Sequence, residues 1–448
     1  MGKYFGTDGI RGIVNETLDA VLAYKTGCAA ATVLAQETHR KPRVMIAKDT
    51  RVSSSMIEAS MLAGLCSAGA DVALLGVLPT PAVAYLTVNT GADMGIVISA
   101  SHNPFEHNGI KIFGRGGFKL SDSLEERIEY YIDNETEAAV MRGGDLGRAS
   151  GDHGYWTGEY VKYLALSASG RYTGRIAVDC ANGAASETAR SLFEALDTDF
   201  EIFSDEPDGL NINDKCGSTH LDALREIVKA KRFDIGFAFD GDADRCLVVD
   251  ERGEAVDGDM MLAVFARSMQ EEKTLKGGGA IGTIVSNSGM DVYARNNGFK
   301  FYRAPVGDRN VLEMIWETGC NLGGESSGHI IFSDEATTGD GQLTAVKFLN
   351  VLCASGSRVS ELIGDVPSFP QVMPSFYLTG GTEQRDAIMS NPALLDEIER
   401  QQNLLAGEGR VLIRPSGTEP VIRVLVEAKT EQIAAEKAQS FIDLMKSL

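Results

Sequence analysis

A chain of 448 residues, 44% hydrophobic and 23% charged, has length for two to four domains and the make-up of an ordinary water-soluble globular protein. Its 63 acidic residues against 42 basic ones give a formal charge of −21, a field that repels nucleic-acid phosphates and anionic lipids and argues against both as partners. The seven cysteines are scattered without CxxC spacing, no segment approaches the ~18 continuous apolar residues of a membrane helix, and the opening Met1-Gly2-Lys3-Tyr4-Phe5 lacks a signal pattern; reduced thiols and a cytoplasmic location are expected.

Along the chain, short apolar runs alternate with helix-length amphipathic stretches. Arg43–Ala47 reads as a strand, Ser55–Ala68 as a helix, Asp71–Leu75 as a strand, Pro81–Val88 as a helix with proline in its first turn, and Gly95–Ser99 as a strand running into a loop. The pattern restarts with the strand Arg175–Asp179, a helix over 186–196, and the strands Asp234–Phe239 and Cys246–Asp250 around an acidic loop. A third cycle runs through Ala280–Val285, the strand Phe301–Ala304, the helix Asn310–Glu317 and the strand His329–Phe332. This alternation predicts three α/β domains with largely parallel pairing. The last part reads instead as an α+β unit: Phe376–Thr379, a helix near Asn391–Gln402, paired strands Val411–Arg414 and Val421–Glu427, and a helix from Glu431 to Lys446. Segments rich in Gly, Pro or charge near 143–154, 250–257 and 367–374 suggest domains at 1–150, 151–252, 253–368 and 369–448.

Four loops carry chemistry. Ser99-Ala100-Ser101-His102-Asn103-Pro104 places a serine at a strand's carboxyl end, where α/β sheets expose reactive groups; Asn-Pro sets a turn that can lift the hydroxyl clear. Asp240-Gly241-Asp242-Ala243-Asp244-Arg245 puts three carboxylates at i, i+2 and i+4 between two apolar strands, an arrangement that needs a cation; oxygen-only ligands with an open side suit Mg²⁺. Glu251 falls at the twelfth place of this loop as in a calcium-binding EF-hand, but Arg245 holds the sixth place, where that motif needs glycine, and strands rather than helices flank it. Gly323-Gly324-Glu325-Ser326-Ser327-Gly328-His329 mixes carboxylate and hydroxyl groups, which suit sugar hydroxyls, with glycines that let a ligand approach. Arg414-Pro415-Ser416-Gly417-Thr418-Glu419-Pro420, with Arg423 beyond, is an anion cradle in an otherwise acidic protein.

These four segments, in this order, resemble the α-D-phosphohexomutase superfamily, and within it the bacterial phosphoglucosamine mutases. Tyr4-Phe5-Gly6-Thr7-Asp8-Gly9-Ile10-Arg11-Gly12, Val306-Gly307-Asp308-Arg309, Thr337-Thr338-Gly339-Asp340-Gly341 and Gly409-Arg410-Val411-Leu412-Ile413-Arg414 are similar to that subfamily as well, so the likeness runs from residue 4 to about 428. The resemblance implies three related α/β (mixed-sheet) domains and a C-terminal α+β domain around a central cleft. It implies an isomerase that interconverts glucosamine 6-phosphate and glucosamine 1-phosphate through a phosphorylated Ser101 and a hexosamine 1,6-bisphosphate, on the route to UDP-N-acetylglucosamine. It further implies one Mg²⁺ held by Asp240, Asp242, Asp244 and the phosphoserine. Glu325 and Ser327 would bind sugar hydroxyls, and Arg414, Ser416, Gly417, Thr418 and Arg423 the phosphate that does not react. Arg11, His102, Lys111, Arg245 and His329 would line the reacting centre, with Lys111 and His329 handling protons. The partner is a small sugar phosphate, and a homodimer is allowed. Three positions depart from the pattern: Ala243 replaces a glycine, His107 stands where many relatives carry aspartate, and Ser326 where many carry glutamine or asparagine. Glucose or mannose phosphates as substrate, a metal-dependent sugar phosphatase, and a non-catalytic sugar-phosphate sensor are the competing readings.

Overall fold

Val- and Ile-rich runs bounded by Gly, Pro and Asp become buried strands, and the longer segments between them become helices that cover the sheets. The computed structural model describes residues 2–6, 8–416 and 420–448. The chain divides into two units, Met1–Ile281 with Gly307–Gly364, and Gly282–Val306 with Asp365–Leu448.

The first unit contains three sheet systems. The first sheet has the strand order Ile10–Ile13, His107–Gly114, Met94–Ile98, Arg43–Lys48, Asp71–Val77, Ala149–Gly151. Arg43–Lys48 runs parallel to both of its neighbours, whereas His107–Gly114 is antiparallel to both of its own. The helix Ala20–Thr38 starts where the Asp19 carboxylate accepts the Leu22 N–H, and packs against Ser54–Ser67 over a core that includes Ile46, Ile57, Met61, Ile96 and Ile128. The second sheet runs Ala255–Val256, Cys246–Asp250, Ile235–Phe239, Arg175–Asp179, Asp199–Phe203. In the third, Ile281 partners Gly323 in parallel, and Leu322–Gly324 pairs antiparallel with Ile330–Phe332.

These are the mixed α/β sheets expected, and their antiparallel pairs fall at the functional ends. Segments 99–106, 240–245 and 325–329 are loops of eight, six and five residues. A parallel crossover needs a dozen residues or more, so connections this short return the chain antiparallel. All three candidate loops therefore sit at the ends of hairpin-like pairs: Ile98 opposite Ile110, Phe239 opposite Cys246, Gly324 opposite Ile330.

The second unit is built on the strand Val421–Glu427. It pairs antiparallel with Gln371–Val372, Ser375–Tyr377 and Arg410–Pro415. The helices Pro392–Leu405 and Glu431–Ser447 cover it through Leu394, Leu405, Ala434, Phe441 and Met445. The buried Glu427 carboxylate ties Gly282–Val306 to this sheet: it accepts the Ser288 N–H at 2.9 Å and the Arg410 guanidinium at 3.1 Å.

Candidate active site

Ser101 follows the strand Met94–Ile98 and is 1% exposed. Its backbone is left-handed, φ 53°, a conformation that costs a non-glycine residue about 1 kcal/mol or more and is held only where the surroundings over-determine it. Its Oγ donates to Asp240 Oδ2 at 2.7 Å and lies 3.2 Å from His102 Nδ1. Burial, reinforced by the Arg245 and Arg11 charges, depresses His102 to about 4, so its ring is neutral near pH 7.

The antiparallel pair Ile235–Phe239 and Cys246–Asp250 projects the acidic loop. Asp240, Asp242 and Asp244 are buried, each with a carboxylate oxygen within 4.8 Å of the others'. Asp240 accepts the Arg245 N–H at 3.1 Å, and Asp242 accepts the Thr80 hydroxyl at 2.6 Å and Lys111 Nζ at 2.7 Å. Lys111 Nζ also reaches Asp244 Oδ2 at 3.3 Å. Burial together with the Asp244 and Asp242 charges pushes the Asp240 carboxyl well above the usual carboxylate range. Asp242 goes the other way: burial opposes its ionisation, but Lys111 and Thr80 overcome it and hold it low. Among the described residues, Asp242 Oδ1 and Asp244 Oδ1 are buried without a hydrogen-bond partner. Two orphaned carboxylate oxygens in a cluster of three acids fit a hard divalent cation. Ala243, the departure from glycine, is buried with φ 55°, so the loop keeps the left-handed turn at this place despite the methyl group.

Further groups extend the cluster. Asp8 pairs with Arg11, with Lys119, and with Lys111 at 3.4 Å; Lys119 Nζ also meets Asp308 Oδ2 at 2.7 Å. Burial works against the charge on Asp8, yet Lys111, Lys119 and Arg11 together hold it well below its ordinary value. Asp308 Oδ2 lies 4.0 Å from His329 Nε2, which accepts the Gly339 N–H at 3.2 Å. With Nε2 accepting this bond, Nδ1 is the ring nitrogen left to carry hydrogen, and among the described residues it is buried without a hydrogen-bond partner.

The loop carrying Glu325 and Ser327 docks beside the acidic one. The Cys246 N–H donates to Gly328 O at 3.0 Å, and the Gly341 N–H to Ala243 O at 3.0 Å. Gly328 has φ +90° and a Cβ there would lie 2.3 Å from Cys246 O, so only glycine permits this approach. Glu325 accepts the Gly307 N–H at 3.0 Å and adds to the negative charge that keeps Arg245 protonated against burial. Arg11, Ser101, His102, Lys111, the three aspartates, Arg245, Glu325, Ser327 and His329 thus all belong to the first unit. Arg414, Ser416 and Arg423 belong to the second; Gly417 and Thr418 lie outside the described residues. Arg414 and Arg423 are direct cross-strand partners, and burial plus the Arg423 charge lower Arg414 from its ordinary value. Like charges placed opposite each other repel, and an anion between them removes the cost.

The four domains described for phosphoglucomutase/phosphomannomutase match in order: alpha/beta/alpha domain I over residues 2–139, domain II over 158–253, domain III over 257–369, and the C-terminal domain over 381–444. The phosphoglucosamine mutase of Shouchella clausii (strain KSM-K16) is 46% identical over 447 residues, covering 100% of this chain and 99% of the relative. The chain belongs to the phosphoglucomutase/phosphomannomutase family, in its phosphoglucosamine mutase branch. It is an isomerase of that family. A crystal structure of a family protein from Burkholderia thailandensis superposes with a TM-score of 0.83 at 25% identity, covering 99% of this chain and 97% of the other. The fold is shared too with Aspergillus fumigatus N-acetylphosphoglucosamine mutase, solved with GlcNAc-6P and magnesium: TM-score 0.66, 17% identity, 94% and 96% covered.

Mutase sequence motifs alone did not single out Asp8, Thr80, Lys119 or Asp308. Asp8 and Asp308 lie inside matched motifs, which was the signal available; their pairing with Lys111 and Lys119 appears only in the structure. Lys119 sits in the unremarkable stretch Gly116-Gly117-Phe118-Lys119, and Thr80 reads only as a helix start, so neither had a local signature. Asp340 caps the helix Gly341–Ser355 by accepting the Leu343 N–H and also accepts the Tyr160 hydroxyl at 2.9 Å. Burial raises it to about 7 despite these bonds. A carboxyl whose folded value exceeds its unfolded one favours folding most at low pH, and that contribution is lost as pH rises through about 7. Thermal melts of Asp340→Asn between pH 5 and 8 are therefore expected to show a flatter pH dependence than wild type; identical profiles would remove Asp340 as the titrating group.

Proposed function

We propose that the protein interconverts glucosamine 6-phosphate and glucosamine 1-phosphate through a phosphoserine at Ser101 and a 1,6-bisphosphate intermediate, supplying amino sugar for UDP-N-acetylglucosamine. The observation that carries this reading is the hydrogen bond from Ser101 Oγ into the buried three-aspartate loop. It sets the group to be phosphorylated against a cation seat, as phosphoryl transfer by positioning and charge stabilisation requires. Asp240, Asp242, Asp244 and Ser101 would hold one Mg²⁺, which when bound supplies neutralising charge to the phosphoryl oxygens.

In the forward half-reaction a sugar hydroxyl oxygen forms a bond to the phosphoserine phosphorus as the bond to Ser101 Oγ breaks. One proton passes, net, from that hydroxyl to Ser101 Oγ. Arg245 adds positive charge beside the transferring group, and Arg11 and neutral His102 shape the pocket around it. Against its burial, Asp242, Asp8 and Asp244 raise Lys111, and with His329 it would handle the proton of the transfer. His329 offers its Nδ1–H to the ligand. Glu325 and Ser327 bind sugar hydroxyls, and Arg414, Ser416, Gly417, Thr418 and Arg423 hold the phosphate that is not being transferred. The bisphosphate then turns over and returns its other phosphate to Ser101. In this reading the serine, metal, sugar and phosphate segments fall in domains 1–150, 151–252, 253–368 and 369–448. The protein works in the cytoplasm; the homodimer that the resemblance allows is checked by light scattering.

The test is turnover by the purified, phosphorylated protein with glucosamine, glucose and mannose 6-phosphates, with Mg²⁺ and after its removal by chelation. Glucosamine 6-phosphate is expected to be isomerised fastest, with activity lost on chelation and regained when Mg²⁺ is restored. Faster conversion of glucose or mannose phosphate would favour the broader phosphoglucomutase/phosphomannomutase activity. Free phosphate without isomerised sugar would favour a phosphatase.

A further inference from the structure

The peptide unit of Ser101 is clamped at both ends by one buried ion pair. Asp49 and Arg51 have fully buried side chains and pair at 2.8 Å through Arg51 Nε. Asp49 Oδ2 also accepts the Ser99 hydroxyl at 2.7 Å, and Ser99 Oγ in turn accepts the Ser101 N–H at 2.9 Å. Arg51 serves the other end: its Nη2 donates to Ser101 O at 2.9 Å and Asn103 O at 2.8 Å, and its Nη1 to Pro104 O and to His107 O at 3.1 Å. From the second sheet's side, Asn213 Nδ2 donates to the same two carbonyls, Ser101 O at 2.9 Å and Asn103 O at 3.1 Å. Thr50, between the two members of the pair, donates to Asn182 O at 2.6 Å, and the Val52 N–H to Gly209 O at 2.9 Å, so the clamp is itself anchored to the sheet that bears the three aspartates.

A buried arginine commonly satisfies its donors on carboxylates. Here one carboxylate takes Nε, and the other donors converge on backbone carbonyls of a single loop, which no side chain but a planar five-donor fork can do. That loop contains a residue held at φ 53° whose hydroxyl points at Asp240. We infer that Asp49, Arg51 and Asn213 are positioning residues for phosphoryl transfer: they hold Ser101 in its left-handed conformation so that Oγ faces the three-aspartate loop. None touches the reacting oxygen. The inference rests on the proposed phosphoserine chemistry and assigns the part of the protein that aims the serine.

The test compares wild type, Arg51→Lys and Asn213→Gly for turnover of glucosamine 6-phosphate per mole of folded protein, folded fraction being read by circular dichroism. Lysine keeps the charge opposite Asp49 but cannot reach the set of carbonyls. Glycine at 213 removes the amide and tolerates the φ of 60° found there. A displaced nucleophile lowers kcat by roughly 10- to 100-fold with KM within twofold of wild type. That split is expected for Arg51→Lys, with a smaller fall of the same kind for Asn213→Gly. Wild-type kcat in folded Arg51→Lys overturns the inference, as does a loss confined to melting temperature. If Arg51→Lys does not fold, Asn213→Gly decides by the same criterion. Wild-type turnover measured alongside separates this outcome from failure of the phosphoserine reading, in which the wild type itself would not isomerise the sugar.

Discussion

Replacing Ser101 by alanine is expected to lower kcat by ~10⁴-fold or more while leaving the protein folded, since removal of a covalent nucleophile takes away the reaction path and not merely part of its stabilisation. Alanine keeps the same backbone strain and loses one hydrogen bond to a carboxylate, worth about 1.5–3 kcal/mol. Asp240 would then lack a bond that favours its ionised form, so its carboxyl rises further. The check is steady-state turnover together with intact-mass measurement of phosphate incorporation: wild type takes up one phosphate and the variant none. A variant that still turns over within tenfold of wild type would end the phosphoserine proposal.

Lys111→Met is expected to be the most destabilising single change at the site. The Lys111 ammonium is 2% exposed and faces three carboxylates, on Asp8, Asp242 and Asp244. Methionine fills much of its volume but strands that negative charge in a buried setting. Breaking a buried ion pair from one side costs roughly 3–5 kcal/mol. Urea unfolding with and without Mg²⁺ is the measurement. The loss should be largest without the metal and partly recovered with it, since a divalent cation bound to Asp242 and Asp244 replaces part of the missing charge. A variant as stable as wild type in both conditions would show that Lys111 does not balance this cluster.

The α/β alternation was legible because its strands are short apolar runs between turn residues; Arg175–Asp179 and Cys246–Asp250 have the bounds that the sequence reading assigns them. The helix Ala20–Thr38 was not, because it is buried continuously from Thr26 to Leu34 and shows little of the polar–apolar contrast that marks a surface helix. Periodicity does not set strand direction within the expected mixed sheets; at the three reactive loops their shortness does, because it excludes parallel returns. At the site, Ser101 and the three aspartates announced themselves by local spacing. Thr80, Lys119 and the Asp49–Arg51 clamp did not, because each acquires its meaning from a partner remote in sequence: Thr80 from Asp242, Lys119 from Asp308, Arg51 from Ser101. The left-handed turn at Ala243 was hidden for another reason. Alanine gives no signal of positive φ, so only the loop's own geometry reveals it.

The seat occupied by Asp8 has a practical corollary for anyone shortening or re-engineering the front of this polypeptide. Phe5 is 2% exposed, and the amide groups of Tyr4 and Phe5 are gripped by Glu129, so the opening segment is stitched into the body of the unit. Trimming it past Asp8 would take away the one carboxylate that Arg11, Lys111 and Lys119 share, leaving three cations crowded around an emptied recess.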